Sequence, residues 1–517
     1  MTFPYLSAIL FFPVLGMILL AGIPGRNHRA IREATLAVTV LHFLLALPLW
    51  WLYDPNGEPF QFVERLPWIA SLGIEYHLGV DGVSVLLILL TIFLMPLAVL
   101  SSWRYIDRHV KEFHILMLLL TTGMLGVFLA LDLFVFYVFW ELMLVPMYFV
   151  IGIWGGKERI YAAVKFFLYT FVGGLLMLIG ILVLYFYHHD ITGEYSYALA
   201  DLMAIPVPAG LQIALFLAFA IAFAIKVPMF PFHTWLPDAH VQAPTAGSVI
   251  LAAVLLKMGT YGFYRLAIPL FPQAARELLP WIGGLAVVGI LYGAMVALVQ
   301  PNMKKLVAYS SVSHLGFVML GLFALNATGV QGSVIQMINH GLSTGALFFI
   351  CGMLYERRHT YEIASFGGLS ASMPVFATLF MIVTLSSIGL PGLNGFVGEF
   401  LILVGMFRTH PWLTVFATAG VILAAYYMLR MFGRVMFGPV DDEENRALPD
   451  VGAREIAVLL PIVVVIFWIG LYPRPFLDRA APSVDRFVER VERAVPSLAA
   501  EAHEPPAAAA VAHEAGR

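Results

Sequence analysis

The chain is predicted to be an all-α polytopic membrane protein of about fourteen transmembrane helices, with two inverted five-helix repeats and broken helices 7 and 12. Three observations carry that prediction. The 517 residues are 61% hydrophobic and only 12% charged, with a mean hydropathy of +0.88, far outside the range of soluble domains. Apolar runs of about 20 residues, the length that crosses a bilayer, recur along the whole chain. Lysine and arginine gather in alternate gaps between those runs.

Hydropathy and turn signals place the spans at 4–23, 33–53, 83–102, 113–130, 133–153, 160–187, 210–227, 244–267, 280–299, 305–325, 331–354, 374–406 (interrupted), 412–437 and 455–472. The first apolar stretch, Leu6 to Ile23, has no basic residue before it and Arg26, Arg29 and Arg32 after it. That is the reverse of a cleavable signal peptide, so it is a retained span. Alternate loops from Arg26 to Arg454 hold sixteen Lys/Arg, whereas the opposite loops hold only Arg65, Arg265, Arg276 and Arg408. By the positive-inside rule the rich set faces the cytoplasm of a bacterial cell, and an even number of spans puts both termini outside. Of the 29 basic residues six lie in the C-terminal tail, leaving Lys165, Lys226 and Lys257 inside spans. Beyond Tyr472 the chain runs into a short amphipathic stretch (Val484, Phe487, Val488, Val491) and a Pro/Ala/His/Glu tail, 499–517, expected to be disordered.

Shifting the chain by 173 residues superposes spans four to eight on spans nine to thirteen. Thr245-Ala-Gly247 then meets Thr418-Ala-Gly420, Glu141 falls on His314, Lys226 on Glu399 and Lys257 on Arg430. Five spans is an odd number, so the second copy crosses the membrane in the opposite sense, as in many transporters. The chain accordingly divides into N-terminal helices (1–110), a first repeat (111–270), a second repeat (279–440), a last span (453–474) and the tail (475–517). Span seven ends in Lys226-Val-Pro228-Met-Phe-Pro231, and span twelve is interrupted by Ser386-Ser-Ile-Gly389-Leu-Pro391-Gly392. Proline removes a backbone donor and frees carbonyls at membrane depth, and these persist only where protein or water satisfies them.

Glu141, Lys226, Lys257 and Glu399 are each stranded in apolar sequence. A charge at bilayer depth costs about 2.5–3.5 kcal/mol on insertion scales, so each is a functional-site hypothesis by default. Together they read as a path for ions, protons first. Desolvation disfavours the charged form of each, which brings a change of protonation within reach. Glu141 is a candidate switchable counter-ion for Lys226; the alternative is a static ion pair that fixes helix packing. His314 and His340 lie on polar stripes with Ser310, Ser313 and Asn339 and suit a relay, or else bridge helices. Lys165 either snorkels or functions. His233, Asp238 and His240, in the link after span seven, feed protons from the cytoplasmic side or cap a turn. Asp132 reads as a helix cap.

The single cysteine, Cys351, excludes a disulfide framework and a cysteine-based cluster within the chain. No ligand spacing for a metal and no nucleotide motif is evident, so the driving force must come from a gradient or a partner.

Trp140-Glu141-Leu-Met-Leu-Val-Pro146, the run Lys226 to His240 and Asn339-His340-Gly341 resemble the antiporter-like subunits of the proton-pumping NADH–quinone oxidoreductase, respiratory complex I. They are also similar to the large subunits of multi-subunit sodium/proton antiporters and membrane-bound hydrogenases. The resemblance covers spans two to fourteen. It implies that Glu141 and Lys226 form the pair of a first half-channel, that Lys257, His314 and His340 form a connecting relay, and that Glu399 is the exit-side site where sister subunits carry lysine. It also implies that this chain holds no cofactor: NADH, flavin, iron–sulfur clusters and quinone belong to partner subunits. The partners it implies are other membrane-arm subunits, among them the antiporter-like subunits L and N, together with the lipid bilayer.

Overall fold

A computed structural model describes residues 3–440 and 442–494. Its framework is helical. Thirteen helices are long and apolar enough to cross a membrane: Tyr5–Gly22, His28–Leu52, Gly82–Ser102, Val110–Leu129, Leu133–Trp154, Arg159–Thr192, Ala209–Lys226, Thr245–Leu270, Pro272–Leu298, Met303–Leu322, Ala327–Arg358, Pro411–Met436 and Ala453–Leu471. The remaining crossing is made in two pieces, Pro374–Ser387 and Asn394–Thr409. With that piece counted as span twelve there are fourteen among the described residues, their bounds within about five residues of the hydropathy reading except that span nine begins at Pro272 and not at 280. Spans eight and eleven are the centre of the bundle and are wholly enclosed by their neighbours.

Both breaks fall where the prolines and glycines predict. Span seven ends at Lys226 and resumes as a short helix, Trp235–Gln242. The carbonyl of Ile225, freed by the break, accepts from the Trp235 indole at 2.9 Å. An orphaned acceptor at this depth would cost about 1–3 kcal/mol. In span twelve Gly389 and Gly392 take φ of 74° and 93°, a region that residues with a Cβ rarely enter. Asn394 closes that break: its Oδ1 accepts from Ser386 Oγ at 2.5 Å, and its carbonyl accepts from Asn339 Nδ2 at 2.7 Å.

Two features differ from the sequence reading. Between spans two and three lies an antiparallel hairpin, β1 Gln61–Ile69 and β2 Ile74–Val80, with Arg65 opposite His77. Its alternation is short and hidden between much stronger apolar runs. Glu64 in β1 accepts from the backbone of Leu6 at 2.7 Å, which fixes the hairpin on the face that carries the chain's beginning. The amphipathic stretch is a full helix, Arg474–Ala494, lying on that same terminal face over spans three, nine and eleven. Its Val484, Phe487, Val488 and Val491 are buried, as the spacing predicted. The 499–517 tail lies outside the described residues.

Candidate functional site

Asp132 is a helix cap, accepting from the backbone of Phe134 and Val135 at 2.8 and 3.0 Å. About two turns of span five beyond Phe134 bring Glu141 to the face of span six, where Gly174 leaves no side chain. A Cβ on Gly174 would collide with Glu141 Oε1. Glu141 is half-buried, and its Oε1 has no hydrogen-bond partner. Lys226, 1% exposed, places its Nζ 3.6 Å from Met143 Sδ and over the Trp140 and Phe166 rings at 5.1 and 5.8 Å. Among the described residues no ion pair or hydrogen bond joins Glu141 to Lys226. Lys226 Nζ instead has a sulfur and two aromatic rings for neighbours.

Span eight supplies Lys257, fully buried. The helix widens to π geometry over Leu251–Leu255 just before it, and π turns are frequent at functional sites. Lys257 Nζ donates to the Ala252 carbonyl at 2.7 Å and lies 2.5 Å from His340 Nδ1. Gly259 lets span eight press on the break of span seven: a Cβ there would come to 2.8 Å from the Phe223 carbonyl and 2.9 Å from Val227 N. Gly259 thus brings the helices that carry Lys226 and Lys257 into backbone contact.

From Lys257 onward polar groups follow one another, with one gap between two imidazoles. The rings of His340 and His314 are 5.9 Å apart, and His314 Nδ1 is 2.9 Å from Glu399 Oε1. Gln336 Nε2 donates to the same oxygen at 3.2 Å, and Asn339 to Gln336 at 3.3 Å. His340 Nε2, His314 Nε2 and Asn339 Oδ1 have no protein partner. These residues line a polar cavity of about 10 Å³ together with Ser343, Ser386 and Gly395. That is room for about one water, which needs just such acceptors and donors around it.

The secondary candidates divide. Lys165 pairs with Asp238 at 2.7 Å at the edge of the bundle. His233 is buried against Phe230 and Tyr292. His240 is fully buried, stacked on Phe348 at 4.5 Å, with neither ring nitrogen partnered. Ser310 donates to its own helix at Val307, 2.8 Å, and stands outside the hydrogen-bonded file. Arg430, matched to Lys257 by the 173-residue shift, is exposed. Lys226 lies before its break and Glu399 after its own, so that shift does not superpose the two sites residue for residue.

Sequence reasoning missed two buried cations by counting them with loops. Lys304 opens span ten, 2% exposed, its Nζ donating to the Ala243 carbonyl at 2.6 Å. Arg265 lies in span eight and pairs with Asp81 at 2.6 Å. Their position at span ends masked them, because hydropathy averaging assigns any charge near an end to the loop. Gln336, Ser343, Ser386 and Asn394 were missed as site residues; the first two share the span-eleven stripe of Asn339 and His340, and the other two flank the break of span twelve.

The comparisons agree with this architecture. Residues 130–424 match the family model described as NADH:quinone oxidoreductase/Mrp antiporter, TM, and residues 9–131 match NADH-ubiquinone oxidoreductase chain 4, amino terminus. The chain belongs to this family of antiporter-like transmembrane proteins. Within it, NADH-quinone oxidoreductase subunit M of Rhodobacter capsulatus is 48% identical, over 96% of this chain and 98% of that one. NADH-ubiquinone oxidoreductase chain 4 of Arabidopsis thaliana is 43% identical over 94% and 97%. Among solved structures, a chain of respiratory complex I from Thermus thermophilus with bound NADH superposes with a TM-score of 0.86 at 34% identity, covering 94% of this chain and 99% of that one.

Proposed function

We propose that this chain is a proton-translocating subunit in the membrane arm of an NADH:quinone oxidoreductase. Electron transfer from NADH to quinone occurs in other subunits, which hold the flavin and iron–sulfur clusters, and its energy drives proton movement here. Protons enter near Lys226 from the cytoplasm, pass along Lys257, His340 and His314, and leave past Glu399 on the opposite side of a bacterial plasma membrane. Both termini then face outside, and antiporter-like subunits L and N flank the chain. The two five-helix units, 111–270 and 279–440, act as inverted half-channels.

The observation that carries this reading is the row Lys257, His340, His314 and Glu399 at mid-bundle: two hydrogen-bonded pairs, Lys257–His340 and His314–Glu399, with the two imidazoles 5.9 Å apart beside a water-sized cavity. Buried titratable groups in such pairs, with water across the one gap, can hand on a proton, whereas a purely structural core would favour apolar packing. In reconstituted complex, Glu141→Gln and Lys226→Ala should each collapse NADH-driven proton pumping while the complex still assembles. Full pumping in assembled variants would reduce the chain to a structural subunit. The family model's description also covers Mrp antiporters, which favours a second reading as a sodium/proton antiporter subunit without redox partners. Co-purification of flavin and iron–sulfur subunits with the chain excludes it; purification without them excludes the first.

A further inference from the structure

Lys257, Tyr261 and Arg265 are spaced four residues apart and so share one stripe of span eight. Arg265 Nε donates to the Tyr261 hydroxyl at 3.0 Å, and that hydroxyl donates to the Phe128 carbonyl at 3.1 Å. Two helical turns, about 12 Å, take the stripe from Lys257 toward the terminal face. There it meets a cavity of about 430 Å³ beneath the hairpin and the terminal helix, bordered by Asp81, His77, Arg265 and Arg486. Pro59, Val63 and Ala200 on its rim are exposed, so the cavity opens to the surface. The relay would therefore have a short way out along span eight, bypassing His340, His314 and Glu399.

Arg265 stands at the inner end of that cavity. It is 7% exposed, it lies in a second π-helical segment, Phe263–Ala267, and its guanidinium is 5.0–5.5 Å from the rings of Phe60, Tyr261 and Tyr264. Asp81 holds it at 2.6 Å and is itself locked in a capping box with Ser84 at the start of span three. Burial alone would raise the Asp81 carboxyl, but the Arg265 guanidinium beside it outweighs burial and holds it below the usual carboxylate range. A guanidinium does not release its proton at any ordinary pH. It can neither pass a proton on nor tolerate an excess one beside it, and arginines at pore constrictions exclude protons in this way.

We infer that the Asp81–Arg265 pair, with Tyr261 behind it, is an electrostatic seal that closes Lys257 off from the terminal-face cavity and so forces protons along the His340–His314–Glu399 file. The inference rests on the proposed proton-carrying role of Lys257. Arg265 acts as a positioning residue: it directs protons without carrying them.

The test uses the whole complex in liposomes, measuring passive proton influx under an imposed pH gradient without NADH, and NADH-driven pumping per electron pair. Arg265→Gln should raise passive influx on the order of tenfold or more, because a full charge is removed from the barrier, and should lower protons pumped per electron pair while NADH oxidation continues. Arg265→Lys keeps the charge and should remain tight. Asp81→Asn/Arg265→Gln is the decisive variant, since it leaves no buried charge unpaired. A structural pair predicts that this double variant regains tight, wild-type coupling, and that result overturns the seal. Persistent leakage in it supports the seal. Adding Lys257→Met to Arg265→Gln should abolish the leak; a leak that survives also overturns the inference. Undiminished pumping in Lys257→Met alone would instead sink the proton-carrying role of Lys257, a separate failure.

Discussion

The two halves of the candidate pathway are built differently. On the far side of the bundle, Lys257, His340, His314 and Glu399 form a chain of close polar contacts around a water-sized cavity. On the near side, Glu141 and Lys226 have no direct contact, and Lys226 is walled by Met143, Trp140 and Phe166. A row of polar groups with one water-sized gap shares protons readily and holds little memory of where they came from. An isolated lysine in aromatic surroundings responds strongly to any shift in a nearby carboxylate, because few other dipoles screen the two charges. The near half therefore suits switching, and the far half suits conduction.

Variants should separate these roles, beginning with the largest effect. Lys226→Ala removes the switched group and should cut NADH-driven pumping by at least about 100-fold, the low end of what a positioned proton-transfer group contributes. The same change eliminates a buried charge without an ion-pair partner, so the thermal midpoint of the complex should stay unchanged or rise. A fall in both quantities together would make Lys226 a packing residue. His340→Phe cuts the far file but leaves the cavity polar on its other walls. Its pumping should fall by about tenfold, less than for Lys226→Ala, because ordered water can bridge a missing relay group. Equal losses in the two variants would erase the distinction between the halves.

Gly259→Ala tests the junction between them. The added methyl meets the Phe223 carbonyl and Val227 backbone, an overpacking that should destabilise by about 1–3 kcal/mol. Pumping should fall with it, and by more than for a far-half change such as Ser386→Ala, where ordered water can replace the lost hydroxyl. Ser386→Ala removes the hydroxyl bonded to Asn394 and should cost only about 1 kcal/mol in stability. Denaturation midpoints and pumping ratios for the two variants check both expectations.

Much of this arrangement was legible in the residues themselves. Charges stranded in apolar sequence singled out Glu141, Lys226, Lys257 and Glu399, because the membrane makes such residues too costly to keep without a use. Proline and glycine located both breaks, since their backbone effects are local. What stayed hidden depends on helix rotation and on contacts between distant segments. Nothing in the spacing of Glu141 and Lys226 reveals that the lysine's neighbours are the Met143 sulfur and the rings of Trp140 and Phe166. Arg265 and Lys304 read as loop cations because each sits within a turn or two of a span end, and only the packing of the hairpin and terminal helix over that face buries Arg265. The hairpin itself was overlooked because its pairing runs between strands whose alternation is weaker than the flanking hydropathy.

The central claim is that Lys226 and Lys257 exchange protons during turnover although the helices that carry them pack backbone to backbone at Gly259. Locating ordered water in the assembled complex, at rest and during NADH-driven turnover, tests it most directly. The account predicts at least one state in which water joins Lys226 Nζ to Lys257 Nζ past Gly259. Dry packing between the two ammonium groups in every state of a pumping complex would contradict it.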